Sequence, residues 1–267
     1  LNKIELTFND TKNLFNYAKK INMKIISTPF DILSADELEK LNMKIYKISS
    51  GDIDNIPLIQ NIAKKNKPII ISTGRSNISD IDQAIKYINR NGNNKISILH
   101  CVSSYPTKYE DLNLNVINQL KKKYKYEIGF SDHSLGIEAP IAAVSLGATI
   151  IEKHITLDKN SVGPDHFFSL NPNEFKSMIS QIKNVETALG NPDKRIYKSE
   201  HEGLRKARRS LYTATEIKKN DYFTEHNISV LRPAHGLKPI DIYKFIGKKS
   251  KRNIKKGALL KLSMIDK

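Results

Sequence analysis

Two histidines, His133 and His154, each close a short apolar run, and each stands two residues after an oxygen-bearing side chain, Ser131 and Glu152 respectively. In an extended strand residues i and i+2 share a face, so Ser131 sides with His133, and Glu152 with His154. Two imidazoles from neighbouring strand ends, completed by water, suit a divalent ion of the Mn²⁺ or Zn²⁺ class with open positions. Asp132 lies beside this pair in sequence, and His100 and His166 compete for the same role. A second group begins at Lys47 and continues through Ser49, Ser50, Gly51 and Asp52; Ser72-Thr73-Gly74 follows at the end of the next apolar run. A lysine with hydroxyls and a glycine turn suits a phosphate or carboxylate, and here two successive run ends offer that chemistry. Gly163-Pro164-Asp165-His166 is a rigid turn presenting a carboxylate fit for sugar hydroxyls, and Arg232-Pro233-Ala234-His235-Gly236 sets an arginine beside another such turn.

Residues so far apart in the chain need a scaffold that gathers them. Apolar runs recur at Lys24–Ser27, Ile45–Ser49, Pro68–Ser72, Ile96–Cys101, Glu127–Ser131 and Thr149–His154. Between them lie helix-like segments at Asp36–Leu41, Leu58–Lys65, Ser79–Asn89, Leu114–Lys123 and Ile137–Leu146, one starting near Ser79 and Asp82 and another stopping at Gly147. Strands alternating with helices predict parallel βα units. Six units at roughly 31 residues each match the pace of a (β/α)8 barrel, where about 250 residues make eight. A doubly wound open sheet is the alternative. Against it, no strand leads into a glycine-rich phosphate fingerprint. The runs also end in polar residues (Ser27-Thr28, Ser49-Ser50, Ser72-Thr73, Ser103-Ser104, Asp132-His133, Glu152 with His154), which a barrel brings to one mouth. After Gly190-Asn191-Pro192 the texture changes to a charged stretch and short β-like pieces, Ser210–Ala214, Asn227–Leu231 and Ala258–Leu262. Ile217-Lys218-Lys219-Asn220 is echoed by Ile254-Lys255-Lys256-Gly257, each reading as a turn. The expected domains are a barrel over 1–195, a linker over 196–206 and a small β-rich module over 207–267.

Composition narrows the function classes. With 39% hydrophobic and 27% charged residues among 267, the chain can bury a core and does not read as disordered. No apolar run approaches the ~18 residues of a membrane span. The single cysteine, Cys101, excludes an intramolecular disulfide framework; with no secretory signal visible, the expected location is the cytoplasm. The net charge of +16 favours anionic partners. Basic runs such as Lys121–Lys125 and Lys248–Arg252 lack the aromatic interleaving of a nucleic-acid module, so the expectation is a solvated basic surface, with neither nucleic acid nor membrane as partner.

The ordered set Lys47-Ile48-Ser49-Ser50-Gly51-Asp52, Ile71-Ser72-Thr73-Gly74, Gly129-Phe130-Ser131-Asp132-His133, Ile151-Glu152-Lys153-His154 and Gly163-Pro164-Asp165-His166 resembles the sialic acid synthase family, which includes N-acetylneuraminate, legionaminic acid and pseudaminic acid synthases. The tail around Arg208-Arg209-Ser210-Leu211 and Arg232-Pro233 is similar to that family's antifreeze-like (SAF) domain. The resemblance implies an α/β fold, a (β/α)8 TIM-type barrel with a small C-terminal β-rich SAF domain. It also implies metal-dependent condensation of phosphoenolpyruvate with an N-acyl-mannosamine-type amino sugar, giving a nonulosonic acid and phosphate. Its metal would be Mn²⁺ or Mg²⁺, held by His133 and His154. Lys47, Ser50, Ser72 and Ser131 match phosphoenolpyruvate contacts, and Ser103 stands where some members use Asn. Tyr105 and Asp165 match sugar contacts. Glu152 and Asp52 are the acidic candidates for catalysis. Arg232 matches an arginine donated across a homodimer whose SAF domain covers the partner's barrel.

Two departures stand out. Arg75 follows Ser72-Thr73-Gly74 where a Met is expected. Position 1 is Leu, and the first two βα units of the family, about 60–80 residues at the barrel pace, have no counterpart. The expectation is therefore a fragment, poorly active and unstable alone, because an incomplete barrel exposes two sheet edges. A catalytically incomplete sugar-binding relative is one alternative. Another is a phosphate-handling aldolase that would form a Schiff base at Lys47.

Overall fold

The structure, a computed structural model, describes residues 6–266. The outer ends of the two expected domains, 1–5 and 267, lie outside the described residues. The chain divides into two compact units, Leu1–Gly190 and Asn191–Lys267.

In the first unit, strands β1 (Tyr46–Ile48), β2 (Ile69–Ser72), β3 (Ile96–Cys101), β4 (Glu127–Asp132) and β5 (Ile151–Lys153) lie in the order of the sequence, every neighbouring pair parallel. The first expected run contributes a single parallel bridge, Ser27 to Tyr46. Beyond the end of β5, Ile155 bridges Leu170 in the same sense. Helices α1 (Phe8–Lys20), α2 (Ile32–Lys40), α3 (Ile56–Lys64), α4 (Ile78–Arg90), α5 (Val116–Lys123), α6 (Glu138–Ser145) and α7 (Pro172–Leu189) alternate with these strands. Parallel βα units in sequence order are the plan of a (β/α)8-type barrel wall.

Local chemistry explains the helix ends. Asn77 caps α4 in a reciprocal box with Asp80, so the cap stands two residues before Ser79 and the helix begins at Ile78. Thr7 with Asp10 and Asn171 with Glu174 do the same for α1 and α7. Past α6, Gly147 turns the chain at φ 91, a conformation glycine adopts without steric cost.

The register sorts the strand residues onto two faces. Tyr46, Ile48, Ile69, Ile71, Ile96, Ile98, Ile128 and Phe130 point toward the helices and form one buried cluster with Leu58, Ile62, Ile81, Ile88, Ile117 and Leu120. Burying each such side chain contributes roughly 1.5–3 kcal/mol. The alternate positions, Lys47, Ser72, Cys101, Ser131 and Glu152, share the opposite face.

In the second unit, a short helix α8 (His201–Ala207) precedes an antiparallel pair, β6 (Ser210–Thr213) and β7 (Ile228–Leu231). The third β-like piece contributes only a bridge, Leu259 to Tyr212. Its core is Leu211, Ile217, Phe223, Ile228, Phe245, Ile254, Leu260 and Met264. The echoed tetrapeptides face one another: Ile217 and Ile254 exchange both backbone hydrogen bonds, at 2.9 and 2.7 Å. Asn220 and Gly257 turn at matching φ values of 71 and 76.

Candidate active site

The polar strand ends of the first unit line one cavity of about 500 Å³, walled by Lys47, Ser49, Ser50, Ser72, Arg75, Cys101, Ser103, Tyr105, Ser131, His133, Glu152 and His154, with Thr28 and Phe30 at one side. Strand parity selects this set. Every second residue of a strand faces the cavity, and the intervening ones face the helices.

One wall is a hydroxyl-lined floor. The Ser50 hydroxyl accepts a hydrogen bond from the Gly74 amide at 2.9 Å. A Cβ at position 74 would collide with the Ser103 and Ser50 hydroxyls, so a larger residue there would have to displace them. Ser72 is 2% exposed and its hydroxyl has no partner among the described residues. A buried hydroxyl left unsatisfied costs free energy, and its place in a cavity wall marks where a ligand oxygen would sit.

Glu152 joins this floor to the other wall. Its Oε1 accepts from the Ser131 hydroxyl at 2.8 Å and lies 3.3 Å from Lys47 Nζ. The lysine is therefore an ion-paired cation, aimed along the cavity face.

The two imidazoles meet on that other wall, with ring centroids 5.3 Å apart at 64°. His133 Nδ1 is 3.0 Å from the Val102 carbonyl, which can only accept, so this nitrogen carries the proton and Nε2 keeps its lone pair. Burial pushes the His133 pKa below 6.5; burial and then the neighbouring His133 push His154 the same way. Both rings are thus neutral at neutral pH, the form that binds metals. Two neutral imidazoles fit a divalent ion that takes its other ligands from water and substrate. No group of three or more His, Cys, Asp or Glu among the described residues is arranged to hold one. The Tyr105 ring lies 4.2 Å from that of His133, tilted by 52°, and the buried Phe168 lies 5.1 Å from His154. Asp165 Oδ2 stands 3.8 Å from His154 Nδ1 at the rim.

Several sequence-based candidates fall elsewhere. Asp132 follows Ser131 and so faces the helix side, where it forms an ion pair with Lys153 at 2.6 Å, both side chains fully buried. Asp132 also accepts from the Ser134 amide and hydroxyl at 2.8 and 2.7 Å, and Lys153 donates to the Ser134 carbonyl. This pair ties β4 to β5 one residue before each histidine. His100 has the same outward parity; it is buried, with Nε2 2.7 Å from the Leu112 carbonyl. His166 is held by Thr156, its Nδ1 2.7 Å from the hydroxyl. Asp52 is not among the cavity residues: its carboxylate accepts from Ser49 at 2.5 Å and Asn55 at 3.3 Å. Arg232 is exposed in the second unit, just after β7. Cys101 and Phe30 line the cavity without having been singled out. The period-two signal from Leu99 to Cys101 places the thiol opposite Ser131.

Parallel βα units with a polar cavity at the strand ends are the plan of a (β/α)8-type enzyme. Residues 1–194 match the NeuB family and residues 208–266 the SAF domain. An N,N'-diacetyllegionaminic acid synthase of Campylobacter jejuni is 42% identical over 97% of this chain and 78% of its own length. A pseudaminic acid synthase of Helicobacter pylori is 39% identical over 95% and 75%. Among solved structures, the spore coat polysaccharide biosynthesis protein spsE of Bacillus subtilis superposes with a TM-score of 0.67 at 37% identity, covering 98% of this chain and 79% of that one. The chain belongs to the NeuB family, the sialic acid synthases. No helix among the described residues is long and apolar enough to cross a membrane.

Proposed function

We propose that this cavity condenses phosphoenolpyruvate with the open-chain form of an N-acyl-mannosamine-type sugar, giving a nonulosonic acid and inorganic phosphate. The observation that carries the reading is the unpartnered, buried Ser72 hydroxyl, set among Lys47, Ser50, Ser103 and Ser131 and facing the same space as two neutral imidazoles. Lys47 and the hydroxyls hold the phosphate, so positioning supplies a large share of the rate. Tyr105 and Asp165 orient the sugar so that its aldehyde carbon faces the enol carbon. A divalent ion, Mn²⁺ or Mg²⁺, held by His133 and His154, would stabilise the negative charge that develops on the sugar oxygen. Attack leaves positive charge on the phosphate-bearing carbon, and water adds there. Glu152, its Oε1 fixed by Ser131 and Lys47, takes that water's proton at Oε2. The sugar alkoxide takes up that proton, and collapse of the adduct to the keto acid expels phosphate, which leaves with the adduct's hydroxyl proton. Asp52 fixes Ser49 at the cavity edge and takes no direct part. The proposal includes a homodimer in which Arg232 of one copy serves the cavity of the other, and a cytoplasmic location.

The test is phosphate release by the full-length gene product. Release should require phosphoenolpyruvate, an N-acyl amino sugar and a divalent ion together. Release without any sugar contradicts the condensation. Trapping of substrate on Lys47 by borohydride would favour aldolase chemistry instead.

A further inference from the structure

Arg75 is a cavity residue with its charge uncommitted. Lys47, the other cation of the wall, is paired with Glu152. Among the described residues Arg75 forms no ion pair; its guanidinium donates from Nη2 to the Ser103 carbonyl at 3.4 Å, beyond the usual N–H···O range. Most of its five donors remain available, in a fork whose geometry matches a phosphate.

The backbone makes the choice of residue informative. Arg75 sits at φ 59, in the left-handed region that long side chains seldom occupy. The other non-glycine residues at positive φ among those described are all asparagines: Asn22, Asn42, Asn66, Asn113 and Asn220. Asparagine suits this conformation and the chain uses it freely. At the one such position that borders the cavity, it carries an arginine, and the weak bond to Ser103 does not account for that.

The neighbours show what the guanidinium faces. Gly74 binds the Ser50 hydroxyl and packs against Ser103, and two residues before Gly74 stands Ser72 with its buried, unpartnered hydroxyl. We propose that Arg75 is a phosphate ligand: its guanidinium closes over the phosphate of phosphoenolpyruvate seated on the hydroxyls of Ser50, Ser72 and Ser103. This rests on the reading of the cavity given above and adds a residue that the family resemblance does not supply.

The experiment is calorimetric titration of the protein with phosphoenolpyruvate and, separately, with inorganic phosphate, for wild type, Arg75→Asn, Arg75→Met and Arg75→Lys. Asn removes the charge while suiting the left-handed backbone, so its Tm should equal or exceed that of wild type. Its affinity for phosphoenolpyruvate should fall about ten- to a hundredfold, the worth of a charge-assisted hydrogen bond. Lys should recover part of the loss, and Met should behave as Asn does even if it is less stable. Affinity of Arg75→Asn within twofold of wild type overturns the assignment while leaving the condensation intact. Should Arg75→Asn weaken a phosphorylated amino sugar but not phosphoenolpyruvate, the phosphate it binds is the sugar's, and the assignment is again overturned. Wild type that binds inorganic phosphate through Arg75 but ignores phosphoenolpyruvate supports Arg75 as a phosphate ligand and overturns the condensation. Binding of neither probe overturns both.

Discussion

Lys153→Met cuts the buried ion pair that sits directly behind the two imidazoles. Both side chains of the pair are fully buried, with Nζ 2.6 Å from Asp132 Oδ2. After the substitution the carboxylate keeps the Ser134 amide and hydroxyl on Oδ1 but loses the Lys153 ammonium. Removing one partner of a buried pair costs about 3–5 kcal/mol, because the remaining charge stays out of water. For a unit of Leu1–Gly190 that corresponds to a Tm drop of about 6–20 °C. Asp132→Asn in the same chain neutralises the stranded charge and keeps an amide oxygen for Ser134. The double variant should therefore cost only about 1–2 kcal/mol, less than Lys153→Met alone. Urea unfolding of wild type, both single variants and the double variant gives the cycle. A cost below about 1 kcal/mol for Lys153→Met refutes the reasoning, as does a double variant no more stable than that single one.

Three further outcomes are expected. His133→Ala and His154→Ala should each weaken Mn²⁺ binding, read by electron paramagnetic resonance, about a hundredfold or more while leaving the fold intact; unchanged binding in either removes that histidine from the metal site. Burial holds the His100 pKa below 6.5, so the unfolded chain takes up a proton that the folded one refuses, and stability should fall as pH drops through 6.5 toward the folded value. The slope is at most about 1.4 kcal/mol per pH unit for this group. His100→Gln, which keeps a donor for the Leu112 carbonyl, should flatten the loss between about pH 7.5 and 5.5; an unchanged slope rules His100 out as its source. Arg232→Ala should lower kcat/KM about ten- to a hundredfold without changing Tm, and mixing it with inactive His133→Ala should restore part of the activity. No recovery on mixing argues against an arginine shared between copies.

Much of this arrangement is written in strand parity. Ser131 with His133, and Glu152 with His154, share a face because they are two residues apart, and the structure brings both imidazoles into one cavity. The same rule, carried one step further, places Asp132 and His100 on the helix side, where charge and ring are buried against Lys153 and the Leu112 carbonyl. Asp52, a catalytic candidate by sequence, stands outside the cavity lining for another reason: a short 3-10 turn over Ser50–Asp52 folds its carboxylate back onto Ser49, and no periodic signal announces that turn. Helices α1 and α7 are not among the segments read from the sequence, although Thr7 with Asp10 and Asn171 with Glu174 box their starts. The freedom of the Ser72 hydroxyl and the left-handed backbone at Arg75 are properties of packing, which only coordinates reveal.

The central claim is that one cavity joins the carbons of phosphoenolpyruvate to a sugar. The direct measurement supplies phosphoenolpyruvate labelled with ¹³C in all three carbons, an N-acyl-mannosamine-type sugar and Mn²⁺ to the full-length protein, and weighs the product by mass spectrometry. The account predicts a nonulosonic acid carrying all three labelled carbons, with one phosphate released for each. Label recovered only as pyruvate, with the sugar unchanged, contradicts it.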